Sequence, residues 1–235
     1  MTNYLKITFF QSSPFSLRVS EATAKLGKSH LCPTPHCIKS ALIDRYAETN
    51  TENELIAFLK LIDRLSFSFL LPDLIIVNQT FYKKMKPARD DAESEDAYTS
   101  TIMYQEYVHY PEFSLLIDVT NLTEDECQVL IHTFVKINYL GKKDSLISYK
   151  EHSFVLELPK NAIKPLSITK DPNGMVIRMD DFYHNRKNNS EKIYLNDLRI
   201  GGGYGNSHLR DFIAYLFPYQ IKSSCKKYTL YEVLI

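Results

Sequence analysis

The residues able to do chemistry fall into a few local groups. His30, Cys32, His36 and Cys37 stand close together and offer the imidazole and thiolate donors that a tetrahedral zinc takes. Pro33, Thr34, Pro35 and His36 hold the two cysteines further apart than a zinc knuckle does, and no second pair follows downstream. The group therefore reads as structural thiols and loop histidines, with no metal or cofactor expected. Nucleophilic catalysis lacks its parts, since there is no Gly-x-Ser-x-Gly elbow. Asp90, Asp91, Glu93, Glu95 and Asp96 are carboxylates of the kind a metal-dependent nuclease gathers. They sit in a stretch without an apolar face and read as solvated surface. Metal-free RNA cleavage asks for less, a general base such as His beside a cation, and seven histidines leave that chemistry open.

Two glycine-bearing stretches suit an anion better. Arg199 to Ser207, RIGGGYGNS, can turn successive backbone N–H groups toward a phosphate, with Asn206 or Ser207 capping a helix through Leu209, Phe212, Ile213 and Leu216. It lacks the Gly-Lys-Ser/Thr ending of a Walker loop, and a flexible connector explains it equally well. The turn Gly141-Lys142-Lys143-Asp144-Ser145 sets two cations and a hydroxyl at the entrance to a strand.

These groups need elements to position them, and the chain has the material. Its 235 residues are 44% apolar and 24% charged, enough for a sizeable core. Lys plus Arg equals Asp plus Glu at 28 each. Residues 1–118 carry 12 basic and 15 acidic side chains and residues 119–235 carry 16 and 13, so no uniformly basic face is advertised. No stretch is apolar enough to span a bilayer, and the start MTNYLKITFF is not a secretory signal, so a cytoplasmic protein is expected. Cys32, Cys37, Cys127 and Cys225 are then reduced thiols, two of them buried.

Alternation predicts a strand over Tyr4 to Phe10, followed by a long loop to Pro33. Thr34 caps a helix with Pro35 at its first position, and capping boxes at Thr51/Glu54 and Thr123/Glu126 open two more. Strands are expected over Phe67 to Phe81, Thr99 to His109, Phe113 to Val119, Ser145 to Tyr149 and Phe154 to Leu158, with an exposed insertion at Tyr82 to Ala97. The order is β-α-β twice, which predicts an α+β, ferredoxin-like arrangement, an antiparallel sheet backed by helices. Residues 1–160 form that domain, with a hairpin insertion at 78–107, and residues 161–235 form a smaller β-rich subdomain.

Pro33-Thr34-Pro35 at a helix start, TIMYQEYVHYPEFSLLIDV in the middle and INYLGKKDSLISY afterwards occur in an order that resembles the Cas5 subunit of type I CRISPR effector complexes (Cascade). That family belongs to the RAMP superfamily. The resemblance covers roughly residues 4–158. Ser40 stands where the family carries Gly, and the turn ends Lys-Lys-Asp-Ser where the family more often has Lys-Arg-Gly-Ser. The resemblance implies a non-catalytic protein that grips the 5′ handle of a CRISPR RNA and caps a filament of backbone subunits. Its partners would be the backbone and large subunits, with target DNA met indirectly and no membrane. An alternative within the superfamily is a metal-independent endoribonuclease that trims the precursor RNA. The insertion would be a thumb whose Lys83, Lys84 and Tyr104 meet RNA. Lys142, Lys143 and Ser145 would do so at the turn, and Thr34, His36 and Lys39 at the first helix, where the backbone N–H groups of His36 and Cys37 and the helix dipole suit an anion. Arg18 joins them from the preceding loop.

Overall fold

Leu5, Ile7 and Phe9 alternate with Lys6, Thr8 and Phe10, and this alternation builds the central strand of the molecule, β1 (Tyr4–Gln11). A computed structural model describes residues 3–19, 27–87, 98–166, 173–182 and 210–234. After β1 come α1 (Pro35–Ala47), α2 (Glu52–Asp63), β2 (Phe67–Leu70), β3 (Leu74–Pro87), β4 (Tyr98–His109), β5 (Glu112–Asp118), α3 (Glu124–Val135) and β6 (Ile147–Val155). The C-terminal part adds β7 (Lys164–Pro165), β8 (Met175–Phe182), β9 (Arg210–Phe217), β10 (Tyr219–Ser224) and β11 (Tyr228–Val233).

The helices start where their caps dictate. Thr34 Oγ1 accepts from the Cys37 N–H at 3.3 Å with Pro35 in the first turn, and reciprocal capping boxes at Thr51/Glu54 and Thr123/Glu126 open α2 and α3. One sheet has the order β2-β5-β1-β6, all antiparallel. Taken in chain order, its strands run 2-3-1-4 across the sheet, with helices between the first and second and between the third and fourth. This is the ferredoxin-like arrangement within an α+β fold. The inward residues of β1, with Phe113, Leu115 and Ile117 of β5 and Phe67 and Phe69 of β2, meet Ile38, Leu42, Phe58, Ile62, Leu130 and Phe134 of the helices in one core.

Two expectations give way. The strands expected at Ser145 to Tyr149 and Phe154 to Leu158 are one strand, β6, paired with β1 from Gln11↔Ile147 to Tyr4↔Val155 with a bulge at Thr8/Phe9. Lys150 to Ser153 look like a break in sequence. They stay in the ladder because β6 is an edge strand whose polar side chains keep their water. The helix expected over Leu209 to Leu216 is, in its described part, strand β9. Ile213, Tyr215 and Phe217 form a period-two face against the core, and Tyr215 Oη donates to the Phe67 carbonyl at 3.1 Å.

β9 lies between β7 and β8, while β10 and β11 extend the β3–β4 hairpin into a second four-stranded sheet, β10-β11-β3-β4. The hairpin is paired continuously from Ile76↔His109 to Pro87↔Tyr98. Gly201 to Gly205, the cap candidates Asn206 and Ser207, and the acids Asp90 to Asp96 lie outside the described residues. All four cysteines are free thiols, with Cys32 and Cys127 buried. Among the described residues no helix is long and apolar enough to cross a membrane.

Candidate nucleic-acid interface

The turn Gly141–Ser145 is held from both ends. The Leu140 N–H donates to the Ser145 carbonyl at 3.1 Å, the Ser145 N–H to the Lys142 carbonyl at 2.9 Å, and Tyr139 bridges Leu146. Gly141 has φ +74°, and a Cβ there would press into Leu17 Cδ2 and lie 3.4 Å from Cys37 Sγ. Both the backbone angle and the packing therefore exclude a side chain. The loop after β1 grips the turn from below. Ser13 Oγ donates to the Asp144 carbonyl and accepts from the Leu146 N–H, and the Ser12 N–H donates to the Leu146 carbonyl at 2.9 Å. Lys142 and Lys143 are left exposed on a fixed turn. The Ser145 hydroxyl is not presented with them: it is buried and has no hydrogen-bond partner among the described residues.

The same loop ties the turn to the hairpin. Phe15 pairs with Val108 of β4, its ring set edge-on against Tyr110 and Phe113. Lys142 Nζ lies 3.5 Å from Ser16 Oγ, which also accepts from Gln105 Nε2 of β4. Gly27 runs beside β4, exchanging backbone hydrogen bonds with Tyr104 and Glu106 at 3.0 Å, so close that a Cβ would meet the Tyr104 carbonyl at 3.0 Å. The Ser29 N–H donates to Glu106 Oε2 at 3.0 Å, and the exposed Arg18 sits on this strip bridged to Ser29. Sequence reading passes over Ser16 and Gln105 because nothing local in a lone serine and a lone glutamine announces a contact 89 positions apart.

On the hairpin, Lys83 is exposed and Tyr104 is half-buried. Tyr104 sets its ring edge against Phe81 at 5.0 Å and donates from its hydroxyl to Glu106 Oε1 at 3.2 Å. Burial, and then the Glu106 charge, push the Tyr104 phenol up to about 12, so it stays a neutral donor with an aromatic edge. The side chain of Lys84 lies outside the described set.

The start of α1 departs from expectation. Thr34 and Lys39 are buried and His36 is largely so, because β8 packs across the first turns of the helix. The Cys37 N–H, expected to be free, is taken by Thr34 Oγ1. Lys39, 0% exposed, reaches both oxygens of Asp181 at 2.9 and 3.1 Å. His36 stacks edge-on with Phe182 at 5.1 Å. Burial holds its imidazole down at about 4, with the Arg210 charge adding to the effect. Asp180, partnered by Arg210 at 2.5 Å, is pulled below the usual carboxylate range by His36 and a Thr34 hydrogen bond despite its burial. A helix terminus already supplied with this many partners is a packed joint and not an anion site. The sequence signals for a cap are right about the helix and silent about the strand covering it, which lies more than 130 residues away in the chain.

No protein-family model matches the chain. Over 234 residues, 98% of this chain and 98% of the relative, it is 25% identical to CRISPR-associated protein Cas5 of Archaeoglobus fulgidus. A solved CRISPR protein from Archaeoglobus fulgidus aligns with 99% of this chain and 92% of its own at 15% identity and a TM-score of 0.47. A chain of the type III-B Cmr-beta complex bound to cognate target RNA aligns with 66% of this chain and 61% of its own at 13% identity and the same TM-score. The chain is thus similar, across nearly its whole length, to a CRISPR-associated protein of the Cas5 type, the family that its ordered motifs resemble.

Proposed function

We propose that this protein is a non-catalytic CRISPR RNA-binding subunit of a type I Cascade complex, holding the 5′ handle of the RNA and capping one end of the backbone filament. The observation that carries the reading is the Lys142–Lys143 turn: two exposed cations on a backbone that Gly141, Ser13 and Leu17 hold rigid, linked through Ser16 to the root of the β3–β4 hairpin. Such a turn offers phosphates preorganised charge, and the nearby Phe81 and Tyr104 offer rings. The 25% identity to a Cas5 protein supports the assignment. In this reading residues 1–160 with the 78–107 hairpin grip the RNA, while the 161–235 subdomain closes over α1. The backbone and large subunits are the protein partners, and the site of action is the cytoplasm.

One observation favours the endoribonuclease as a second reading. Tyr149 Oη and His152 Nδ1 lie 2.5 Å apart on exposed β6, a phenol and an imidazole able to pass a proton. Incubating the protein with labelled, handle-bearing precursor RNA separates the two: retention without cleavage supports the first, and metal-free cleavage abolished in H152A supports the second. Lys142→Ala with Lys143→Ala is expected to weaken handle binding and to lower the slope of log affinity against log salt by about 0.7 for each phosphate no longer held. An unchanged slope would remove the turn from the interface.

A further inference from the structure

The sheet β10-β11-β3-β4 covers the core with one face only. Ile75 and Val77 of β3, Val108 of β4 and Thr229 of β11 are buried, while the alternating Leu74, Ile76, Asn78, His109 and Tyr228 are exposed. The register arranges the open face in rows. Tyr228 stands opposite Asn78, and Asn78 opposite Tyr107; the next row is Leu230, Ile76 and His109. Residues directly opposite share a face, and strands lie about 4.8 Å apart, so the two phenol rings flank the Asn78 amide about 10 Å from each other. Tyr228 is 41% exposed.

The β10–β11 turn carries Lys226 and Lys227, and neither side chain makes an ion pair or hydrogen bond among the described residues. The turn's backbone is fixed: the Gln79 N–H donates to the Lys227 carbonyl at 2.7 Å and the Cys225 N–H to the Tyr228 carbonyl at 2.9 Å, while the Ser224 and Thr229 hydroxyls meet at 3.0 Å. Glu232, on the same face, is already paired with Lys222 at 2.9 Å and with Gln220 at 3.1 Å. At the opposite edge, Gln105 shares the face of Tyr107 and donates to Ser16 Oγ, beside Lys142 Nζ.

We propose that this open face is a stacking platform for single-stranded nucleic acid, with bases lying on Tyr228 and Tyr107 and phosphates meeting Lys226 and Lys227. A docked protein would want a continuous apolar face. Rings and an amide between two cationic rims instead match a strand of alternating bases and phosphates. The platform extends the RNA-binding reading above and rests on it for the Lys142 end of the track alone.

The test uses the intact protein, with fluorescence anisotropy against labelled oligouridine and oligodeoxythymidine. Tyr228→Ala is expected to weaken binding roughly five- to 150-fold while Tyr228→Phe, which keeps the ring, stays near the parent. Lys226→Ala with Lys227→Ala lowers the salt slope by about 0.7 for each phosphate no longer met. Thermal melting of each variant confirms folding. Because stacking ignores the sugar, both strands are expected to weaken, and weakening with one alone assigns the platform to that strand. A parent with no affinity for either strand, equal binding by Tyr228→Ala and the parent, or equal loss in Tyr228→Ala and Tyr228→Phe overturns the proposal. Loss in Tyr228→Ala with none in the Lys142/Lys143 double variant instead overturns the role given to the Gly141 turn and leaves the platform standing.

Discussion

Replacing Lys39 with Met removes a cation that the fold has enclosed and leaves its partner behind. Lys39 Nζ touches both carboxylate oxygens of Asp181, whose side chain is 5% exposed and also accepts the Phe182 N–H at 2.7 Å. Stripped of the lysine, that carboxylate stays buried without the lysine's charge against it, a situation that costs about 3–5 kcal/mol. In a chain of 235 residues each kcal/mol shifts Tm by about 2–4 °C, so K39M is expected to melt about 6–20 °C below the parent. Removing both charges, in K39M/D181L, recovers most of that loss, because apolar groups in place of a buried pair are close to neutral. Thermal melting followed by circular dichroism reads the stability. Handle-RNA affinity, taken at a temperature where each variant is folded, reads the function and is expected to stay within about twofold, well under the 1.4 kcal/mol of a tenfold change. A K39M protein that melts within about 2 °C of the parent yet binds RNA tenfold more weakly would refute the reasoning: Lys39 would then be reaching a phosphate, and β8 would not be sealing α1.

Three further outcomes follow from the same geometry. His36 titrates near 4 in the folded chain against about 6.5 unfolded, so the unfolded state binds the extra proton between those values; stability present above pH 6.5 is lost as pH falls toward 4, by up to about 3 kcal/mol, and urea titrations of H36Q should lose that dependence. Gly141→Ala forces a side chain into the left-handed region and against Leu17, and is expected to cost about 2–4 kcal/mol in urea unfolding and to weaken handle binding; a neutral result would mean that Leu17 moves aside freely. Shortening the hairpin so that an Asn-Gly turn joins Lys83 directly to Ile102, its cross-strand partner, removes little buried surface; the protein should melt near the parent and fail to enter an RNA-containing complex, whereas normal assembly would make the hairpin a passive projection.

What is legible in the sequence is what short-range physics encodes. Thr34, Thr51 and Thr123 announce their helices because a cap and its partner lie within one turn of each other. The alternation of Leu5, Ile7 and Phe9 announces β1 because one face of it meets a core. The failures are cases where two periods fit one string or where a distant strand decides. Phe212, Ile213 and Leu216 satisfy a helical spacing, yet Ile213, Tyr215 and Phe217 satisfy a strand spacing, and only the pairing with β8 chooses between them. Lys39 reads as a surface cation until Asp181 is brought over it. The Gly141 turn, by contrast, is visible as a cationic turn, but its rigidity is not, since Leu17, Ser13 and Cys37 come from other parts of the chain.

The β3–β4 hairpin shows how far pattern alone can go. Along β3 the residues Ile75, Val77, Phe81 and Met85 occupy one face, and a pattern-based reading assigns all of them the same fate. Val77 is 3% exposed and Phe81 is 64% exposed, although two strand steps separate them. On β4, Ile102, opposite Lys83 on the same face, reaches 75%. Gln79 and Lys83 share this face and interrupt the apolar stripe, and beyond Asn78 β3 runs on without β11 beside it. Exposed apolar side chains that continue a core-facing row cost free energy in water that the isolated protein does not recover, at about 25 cal/mol for each Å². In the function proposed above, a partner of the complex covers this row. A polar reversal along this face, with Phe81 and Ile102 changed to Thr, should leave the fold intact and raise solubility while disrupting assembly. If assembly survives that change, the row is not a contact surface, and the hairpin's part in RNA recognition falls to Lys83, Tyr104 and Tyr107.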